Sequence, residues 1–187
     1  MIRCLRIFAL LTILAIVPAA RALSAEKPHF ARLVEIHGSR LTLRGTSLLR
    51  VGYVFRVYWA ALYVGEGIPT DRVLEDVPKR LEIVYLRKIS AKDIVRAGNE
   101  ILQRQTAPDQ LEAIRSRVDQ INAVYRSVRP GDRYTLTYVP GVGSDLTLNG
   151  EWLARIPGAD FARHYFGIWL DPRNEYREFR AALMGSD

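Results

Sequence analysis

The hydrophobic period changes three times along the chain, and the order of these changes constrains the fold more than any other feature. Apolar residues alternate at every second position over residues 30–88, which is typical of β-strands. Over residues 90–128 they recur at every third or fourth position, as in amphipathic helices. Strand-like alternation returns over residues 132–156, and two short helical segments follow it. The sequence therefore predicts one α+β domain, with an antiparallel β-sheet and a layer of α-helices packed on one face.

Turn signals divide the strand-like regions. Asn149-Gly150 separates two alternating runs and is a strong hairpin signal, because both central residues of a two-residue turn need positive φ. This turn predicts that Leu146 lies opposite Leu153. A second hairpin is predicted at His37-Gly38-Ser39.

Helix-start signals mark the helical region. Ser90 and Asp93 form a Ser-x-x-Asp capping pattern, which predicts the beginning of a first helix. A second helix is predicted to begin near Thr106, with Pro108 in its first turn. Its apolar positions cover too few heptads for a coiled coil, so we expect both helices to lie on the sheet.

The first residues resemble a secretory signal peptide. Arg3 and Arg6 precede an apolar run over residues 7–17, and Ala20 and Ala22 are small residues at the positions that signal peptidase reads. We therefore predict a signal peptide over residues 1–22 and one domain over residues 23–187, located in the periplasm or secreted.

The competing interpretation of this segment is a membrane anchor, which would need about 20 apolar residues. Pro18 and Arg21 interrupt the run, so cleavage is favoured, after Ala22 or after Ala25. No transmembrane segment is then expected in the mature chain. The only cysteine, Cys4, leaves with the signal, and the mature protein is predicted to have neither a disulfide nor a cysteine metal ligand.

Charge and composition narrow the choice of partners. The formal net charge of +7 falls to +4 on export, because three arginines and no acid leave with the first 22 residues. The remaining arginines and acids are interspersed, as in AIRSRVDQ, which favours a mixed solvated surface. We expect no nucleic-acid partner and a monomeric protein.

Histidines, serines and glycine loops, which often form catalytic sites, do not occur here in the motifs that catalysis requires. His29, His37 and His164 have no other ligand at metal-binding spacing, and no GxSxG motif occurs. The glycine-bearing PGVGSD lies between two predicted strands and contains no lysine, so it is interpreted as a turn and not as a phosphate loop. The sequence therefore predicts no catalytic residue, metal or cofactor.

The run over residues 49–64 is predicted as one long strand that could form a site wall. Its odd-numbered residues are predicted to face the helices as core. On its other face, Arg50 and Tyr58 could hold a carboxylate, because a guanidinium and a phenol both donate hydrogen bonds. In an extended strand they lie about 26 Å apart, so they can share a ligand only if Gly52 marks a bend. The alternative is that Arg50 and Arg56 reach into solvent or pair with surface acids.

Three segments together resemble a known family. LRGTSLLRVGYVFRVYWAALYVG, VRPGDRYTLTYVPGVGSDLTLNG and IPGADFARHYFGIWLD are similar, in this order, to the bacterial branch of the chalcone isomerase-like family. The resemblance extends from about Arg32 to Gly185. It implies an open-faced sandwich of one antiparallel sheet and a helical layer, with a cleft between them.

The resemblance also implies what the cleft does. Plant enzymes of the family cyclise chalcones to flavanones, whereas non-catalytic members bind fatty acids with an arginine and a tyrosine. Here Tyr58 and Gly167 stand where the enzymes have threonines, and Leu111 and Ile114 stand about where they have a tyrosine and a lysine. Arg50 is the best match to the cleft arginine.

The leading hypothesis is therefore an exported, non-catalytic protein that binds a long apolar or aromatic carboxylate, such as a fatty acid, through Arg50 and Tyr58. The first alternative is an isomerase of the intramolecular lyase type acting on a chalcone-like phenol. The second is an envelope interaction module without a small ligand, which would use its edge strands for contact.

Overall fold

One curled antiparallel sheet organises the chain. The computed structural model describes residues 27–52 and 54–185. Seven strands follow one another in sequence order, each antiparallel to its neighbours. They are β1 (Leu33–Ile36), β2 (Ser39–Val51), β3 (Phe55–Gly65), β4 (Lys79–Tyr85), β5 (Arg133–Val139), β6 (Gly143–Leu148) and β7 (Glu151–Ile156). The predicted fold class is confirmed, while the predicted signal peptide lies outside the described residues.

The helices cover one face of this sheet. They are α1 (Ala91–Gln105), α2 (Pro108–Val124), α3 (Ala159–Leu170) and α4 (Arg177–Leu183), with a 3-10 turn at Thr70–Arg72. The predicted capping pattern is present, because the Ser90 hydroxyl accepts a hydrogen bond from the Asp93 N–H at 3.1 Å. None of the helices in the described ranges has the length and hydropathy needed to span a bilayer.

The hairpin at Asn149-Gly150 is confirmed, with φ values of 52° and 85° at these two residues. The predicted register is wrong by one residue. Leu146 pairs with Ala154 and not with Leu153, because the register shifts between Leu146 and Thr147. A β-bulge of this kind places two residues of one strand opposite one residue of its partner, and sequence alternation does not reveal it.

The sheet curls until its first and last hairpins meet. The β1–β2 turn, at His37-Gly38 as predicted, reaches β6, where His37 Nε2 lies 3.3 Å from Asp145 Oδ2. Arg155 of β7 donates two further hydrogen bonds to the same carboxylate, each at 2.8 Å. This contact joins elements more than 100 residues apart in sequence and gives the sheet the shape of a half-barrel.

The long run over residues 49–64 is not one strand. β2 ends at Val51 and β3 begins at Phe55, and Gly52 lies in the turn between them with a φ of 60°. A positive φ strains glycine less than any other residue, so the chain bends at Gly52. The run is therefore a hairpin in which Arg50 pairs with Arg56.

The predicted orientation of β3 is also wrong. From Tyr58 onward, its even-numbered residues belong to the main core under the helices and its odd-numbered residues lie on the opposite face, whereas Val57, just before this stretch, packs on the helix side. The helix side includes Ala60, Leu62 and Val64, and the opposite side Trp59, Ala61 and Tyr63, which pack with Phe30, Leu41 and Val84. A central strand buried on both faces is apolar at every position, so alternation could not tell which face the helices cover.

Candidate functional site

A cavity of about 330 Å³ lies between the sheet and the helical layer. Strands β3 and β4 form its floor, and helices α1 and α3 form its roof. Most of its walls are apolar or aromatic. They include Val57, Tyr58, Ile83, Tyr85, Ile94, Ile101, Tyr165, Ile168 and Trp169.

Strand pairing and helix geometry bring the aromatic side chains together. Tyr58 of β3 lies directly opposite Tyr85 of β4, and their ring centroids are 5.7 Å apart. Tyr165 and Trp169 are four residues apart on α3, which places them on one face of the helix. The cavity is therefore lined by aromatic side chains from both layers.

Tyr58 is held in place from the helical side. The Trp169 indole N–H donates a hydrogen bond to the Tyr58 hydroxyl at 3.0 Å. Burial raises the pKa of Tyr58 well above the ordinary value for a phenol. The hydroxyl is therefore neutral at physiological pH, and it keeps its own proton for donation to a ligand.

Tyr85 is the second donor. Its side chain lines the cavity, while the neighbouring Tyr165 donates a hydrogen bond to Tyr125 at 3.0 Å. Burial raises the pKa of Tyr85 well above its usual value. The cavity thus combines apolar walls with neutral phenol donors that can orient one polar group of a ligand.

Charged residues lie at the rim of the cavity. Asp93, Glu100, Arg104 and Glu175 contribute to its lining. Arg104 and Glu175 approach each other to 3.5 Å, but both side chains are about 60% exposed, so the pair contributes little to stability. Arg104 is the only cation among the described lining residues.

Arg50 is exposed and lies outside this lining, in an adjoining open recess. The recess and the cavity share the side chains of Leu49, Glu175 and Tyr176. Leu49 is also the strand partner of Tyr58, so the hairpin places Arg50 beside the cavity rim and not about 26 Å away. Whether Arg50 and Tyr58 share a ligand stays a prediction.

The histidines lie apart from one another and from the cavity. His37 contacts Asp145, and burial lowers the pKa of His164 on α3. No group of three or more histidine, cysteine, aspartate or glutamate side chains in the described ranges has a geometry that could hold a metal ion. No histidine, lysine or cysteine is among the described lining residues.

Sequence reasoning missed most of the aromatic lining. Tyr85 has the same parity as Leu81 and Ile83 on β4, so strand alternation could have assigned it to the helix-facing side. Helical spacing could have paired Tyr165 with Trp169. Neither pattern shows that the two layers leave a space between them, because this depends on packing distances.

The geometry defines a class of protein: a single α+β domain with a ligand-sized cavity between one antiparallel sheet and its helices. A family model described as chalcone isomerase-like matches residues 22–185, and the chain belongs to this family. The resemblance predicted from three sequence segments is confirmed at the level of the family.

One solved structure shows the same fold. The crystal structure of a fatty-acid binding protein from Arabidopsis thaliana matches with a TM-score of 0.62 at 13% sequence identity, covering 83% of this chain and 91% of that one. Among curated proteins, DNA polymerase 3 of Saccharolobus shibatae is 26% identical over 95 residues. This segment is 50% of the present chain and 12% of the polymerase, so the chain spans only a small part of that relative.

Proposed function

We propose that the protein is an exported, non-catalytic binding protein that holds a long apolar or aromatic carboxylate, such as a fatty acid, between its sheet and helices. The cavity of about 330 Å³ with its buried phenols carries this proposal. Its volume falls within the range of small-molecule sites, about 300 to 1,000 Å³. Family membership and the fold shared with a fatty-acid binding protein support the same class of ligand.

The walls indicate how such a ligand would lie. Its tail would pack against Ile83, Ile94 and Ile168, where burial of each methylene group contributes about 0.8 kcal/mol. Its carboxylate would remain at the rim, where Tyr58 donates a hydrogen bond and Arg50 supplies positive charge from the adjoining recess. The positive charge of Arg50 would offset part of the cost of bringing a carboxylate into contact with the buried phenol of Tyr58.

Two observations favour binding over catalysis. Burial raises the pKa values of Tyr58 and Tyr85 above that of an ordinary phenol, so neither tyrosine is deprotonated and available as a general base near pH 7. The helix positions that correspond to enzyme residues lie elsewhere: Ile114 is buried in the main core, and Leu111 packs against that core outside the described lining. The cavity therefore has phenol donors that can orient a ligand, while its acids lie at the rim and its tyrosines are not poised to take protons from the ligand.

Ligand capture tests the proposal. The purified chain is incubated with a total lipid extract, separated from unbound lipid and analysed by native mass spectrometry. Co-purification of long-chain carboxylic acids is expected. Turnover of a hydroxychalcone panel above the uncatalysed rate would contradict the non-catalytic assignment, and a cavity that captures no lipid would contradict the ligand class.

Displacement of a fluorescent fatty acid tests the residues. We expect Tyr58→Phe and Arg50→Ala each to weaken binding about tenfold, as for the loss of a hydrogen bond to a charged group. Tyr63→Phe is the matched control, because Tyr63 is a buried tyrosine on the opposite face of the sheet. The variant Arg104→Ala tests whether the carboxylate binds Arg104 instead of Arg50. If only Arg104→Ala weakens binding, the assignment of Arg50 is wrong.

A further inference from the structure

The turn between β2 and β3 exposes an unusual amount of apolar surface. Val51 is 46% exposed, Val54 79% and Phe55 54%, and these three side chains form what we call the hairpin tip. Large exposed apolar side chains that lie together mark an interaction site more often than scattered ones do.

Four cations surround the hairpin tip. Arg50 and Arg56 flank it on the hairpin itself, and Arg87 and Lys88 come from the segment after β4. A backbone hydrogen bond of 2.9 Å from Leu86 to Val57 holds that segment alongside β3. The Arg87 guanidinium lies 5.0 Å from the centre of the Phe55 ring, so cation and apolar surface are in direct contact.

The segments that carry these cations contain no acid, although Glu175 and Glu178 line the recess beside Arg50. Residues 50–56 and 86–88 contain no aspartate or glutamate. In the described part of the chain, none of the four cations makes an ion pair, whereas arginines elsewhere, such as Arg117 and Arg155, are paired with carboxylates. The hairpin tip therefore presents exposed apolar side chains next to four cations that form no ion pair within the described residues.

We propose that the hairpin tip docks on the surface of an anionic lipid bilayer. Apolar side chains enter the boundary between head groups and acyl chains, while lysine and arginine bind the anionic head groups around them. A second copy of this chain fits the surface less well, because a symmetric contact would bring the four cations of each copy close together.

The position of the hairpin tip connects it to the cavity. Val51 belongs to the tip and also lines the cavity, and Leu49 lies on the wall that the cavity shares with the recess of Arg50. A docked tip would therefore bring the cavity rim to the lipid surface, where an apolar ligand could enter from the bilayer. Docking itself does not depend on whether the cavity binds a fatty acid.

Vesicle sedimentation tests the proposal with the full chain. The vesicles are pure phosphatidylcholine, or an equimolar mixture of phosphatidylcholine and phosphatidylglycerol, at about 0.1 M and about 1 M salt. We expect binding to the anionic vesicles at low salt, with much weaker binding at high salt or without phosphatidylglycerol. Since every variant has the same N-terminus, differences between variants report on the substituted positions alone.

Three variants separate the contributions of charge and of apolar side chains to vesicle binding. Removing one cation by Arg56→Ala is expected to weaken binding about fivefold, and the pair Val54→Ser with Phe55→Ser about tenfold or more. Trp152→Ser is the matched control, because Trp152 is 60% exposed on β7, far from the tip in the sheet order. Unchanged melting temperatures establish that each variant is folded.

Several results would overturn the proposal. One is equal binding to neutral and anionic vesicles, and another is a loss in Trp152→Ser as large as in the tip variants. A third is a concentration-dependent dimer in sedimentation equilibrium that disappears with Phe55→Ser, since this would make a second copy the occupant of the tip. Lipid capture by a tip variant that no longer sediments with vesicles would show that the cavity functions independently of docking.

Discussion

The Trp169 indole N–H donates to the Tyr58 hydroxyl across the cavity at 3.0 Å, and this hydrogen bond joins residues 111 positions apart in sequence. Trp169 belongs to α3, and Tyr58 lies on the sheet beside Tyr85. Phe179 of α4 packs edge-on against the same tyrosine, with ring centroids 6.0 Å apart. Tyr58 is thus the point where the sheet, α3 and α4 meet.

The first prediction is that Tyr58 and Trp169 are energetically coupled. Urea unfolding of Tyr58→Phe, Trp169→Phe and the double variant should give a coupling of about 1 kcal/mol, the usual contribution of one hydrogen bond. Each single variant leaves one polar group without its partner, so the double variant should lose less than the sum of the singles. Additive losses would show that the contact contributes no net stability.

The sequence predicted the fold well because local signals and the global pattern agreed. The turn at Asn149-Gly150 and the cap at Ser90 depend on a few neighbouring residues, and both are present. The facing of β3 and the pairing of Leu146 depend on tertiary contacts and on a bulge, and both were predicted wrongly. Which side of a doubly buried strand the helices cover is a property of the whole fold.

The same distinction between local signals and tertiary contacts explains which residues of the candidate site were predicted. Tyr58 was found because it belongs to an unusual run of residues, and it lines the cavity. Tyr85 and Trp169 lie in ordinary strand and helix patterns, so nothing local distinguishes them from core residues. They become site residues only because the cavity lies between their elements.

The second prediction concerns Gly45, where α4 contacts β2. A Cβ at Gly45 would overlap the Ala182 carbonyl oxygen and lie 2.7 Å from that of Leu183, so Gly45→Ala must displace α4. Overpacking of this kind costs about 1 to 3 kcal/mol. Because Phe179 of α4 packs on Tyr58, we also expect weaker binding of a fluorescent fatty acid.

Gly98→Ala provides the control for this substitution. Gly98 lies on α1, and its added Cβ would meet only Ile168 at 3.8 Å, an ordinary contact. Replacing glycine by alanine within a helix should stabilise the fold by up to about 1 kcal/mol. Thermal unfolding of both variants checks the pair, and equal melting temperatures would contradict the close approach of α4 to β2.

The third prediction concerns export. When the chain is expressed in a bacterium with a periplasm, we expect the soluble periplasmic protein to begin at Leu23 or at Glu26, after cleavage behind Ala22 or Ala25. The intact mass of the purified protein distinguishes the two. A charged substitution at Ala22 should redirect or block processing. A full-length protein retained in the membrane would contradict cleavage and favour the anchor.

The fourth prediction rests on Lys79, a fully buried side chain of β4. Its ammonium donates hydrogen bonds to the carbonyl oxygens of Glu75, at 2.7 Å, and Val77, at 2.9 Å, and it lies 4.8 Å from the centre of the Tyr138 ring. Burial lowers the pKa of Lys79 from 10.5 to about 8, only partly offset by Asp76. Between these two values the unfolded chain binds more protons than the folded one.

The free energy of unfolding should therefore rise with pH between about 8 and 10.5. The rise is at most about 1.4 kcal/mol per pH unit for one proton. The rise begins near pH 8 and should be measured below pH 10. Above pH 10 the buried tyrosines act in the opposite direction, because their folded pKa values are raised and the unfolded chain loses their protons first. Urea unfolding of the wild type and Lys79→Met over the window isolates the contribution of the lysine. The variant should lack the rise whatever its absolute stability, and parallel curves for the two proteins would show that Lys79 keeps an ordinary pKa when it is buried.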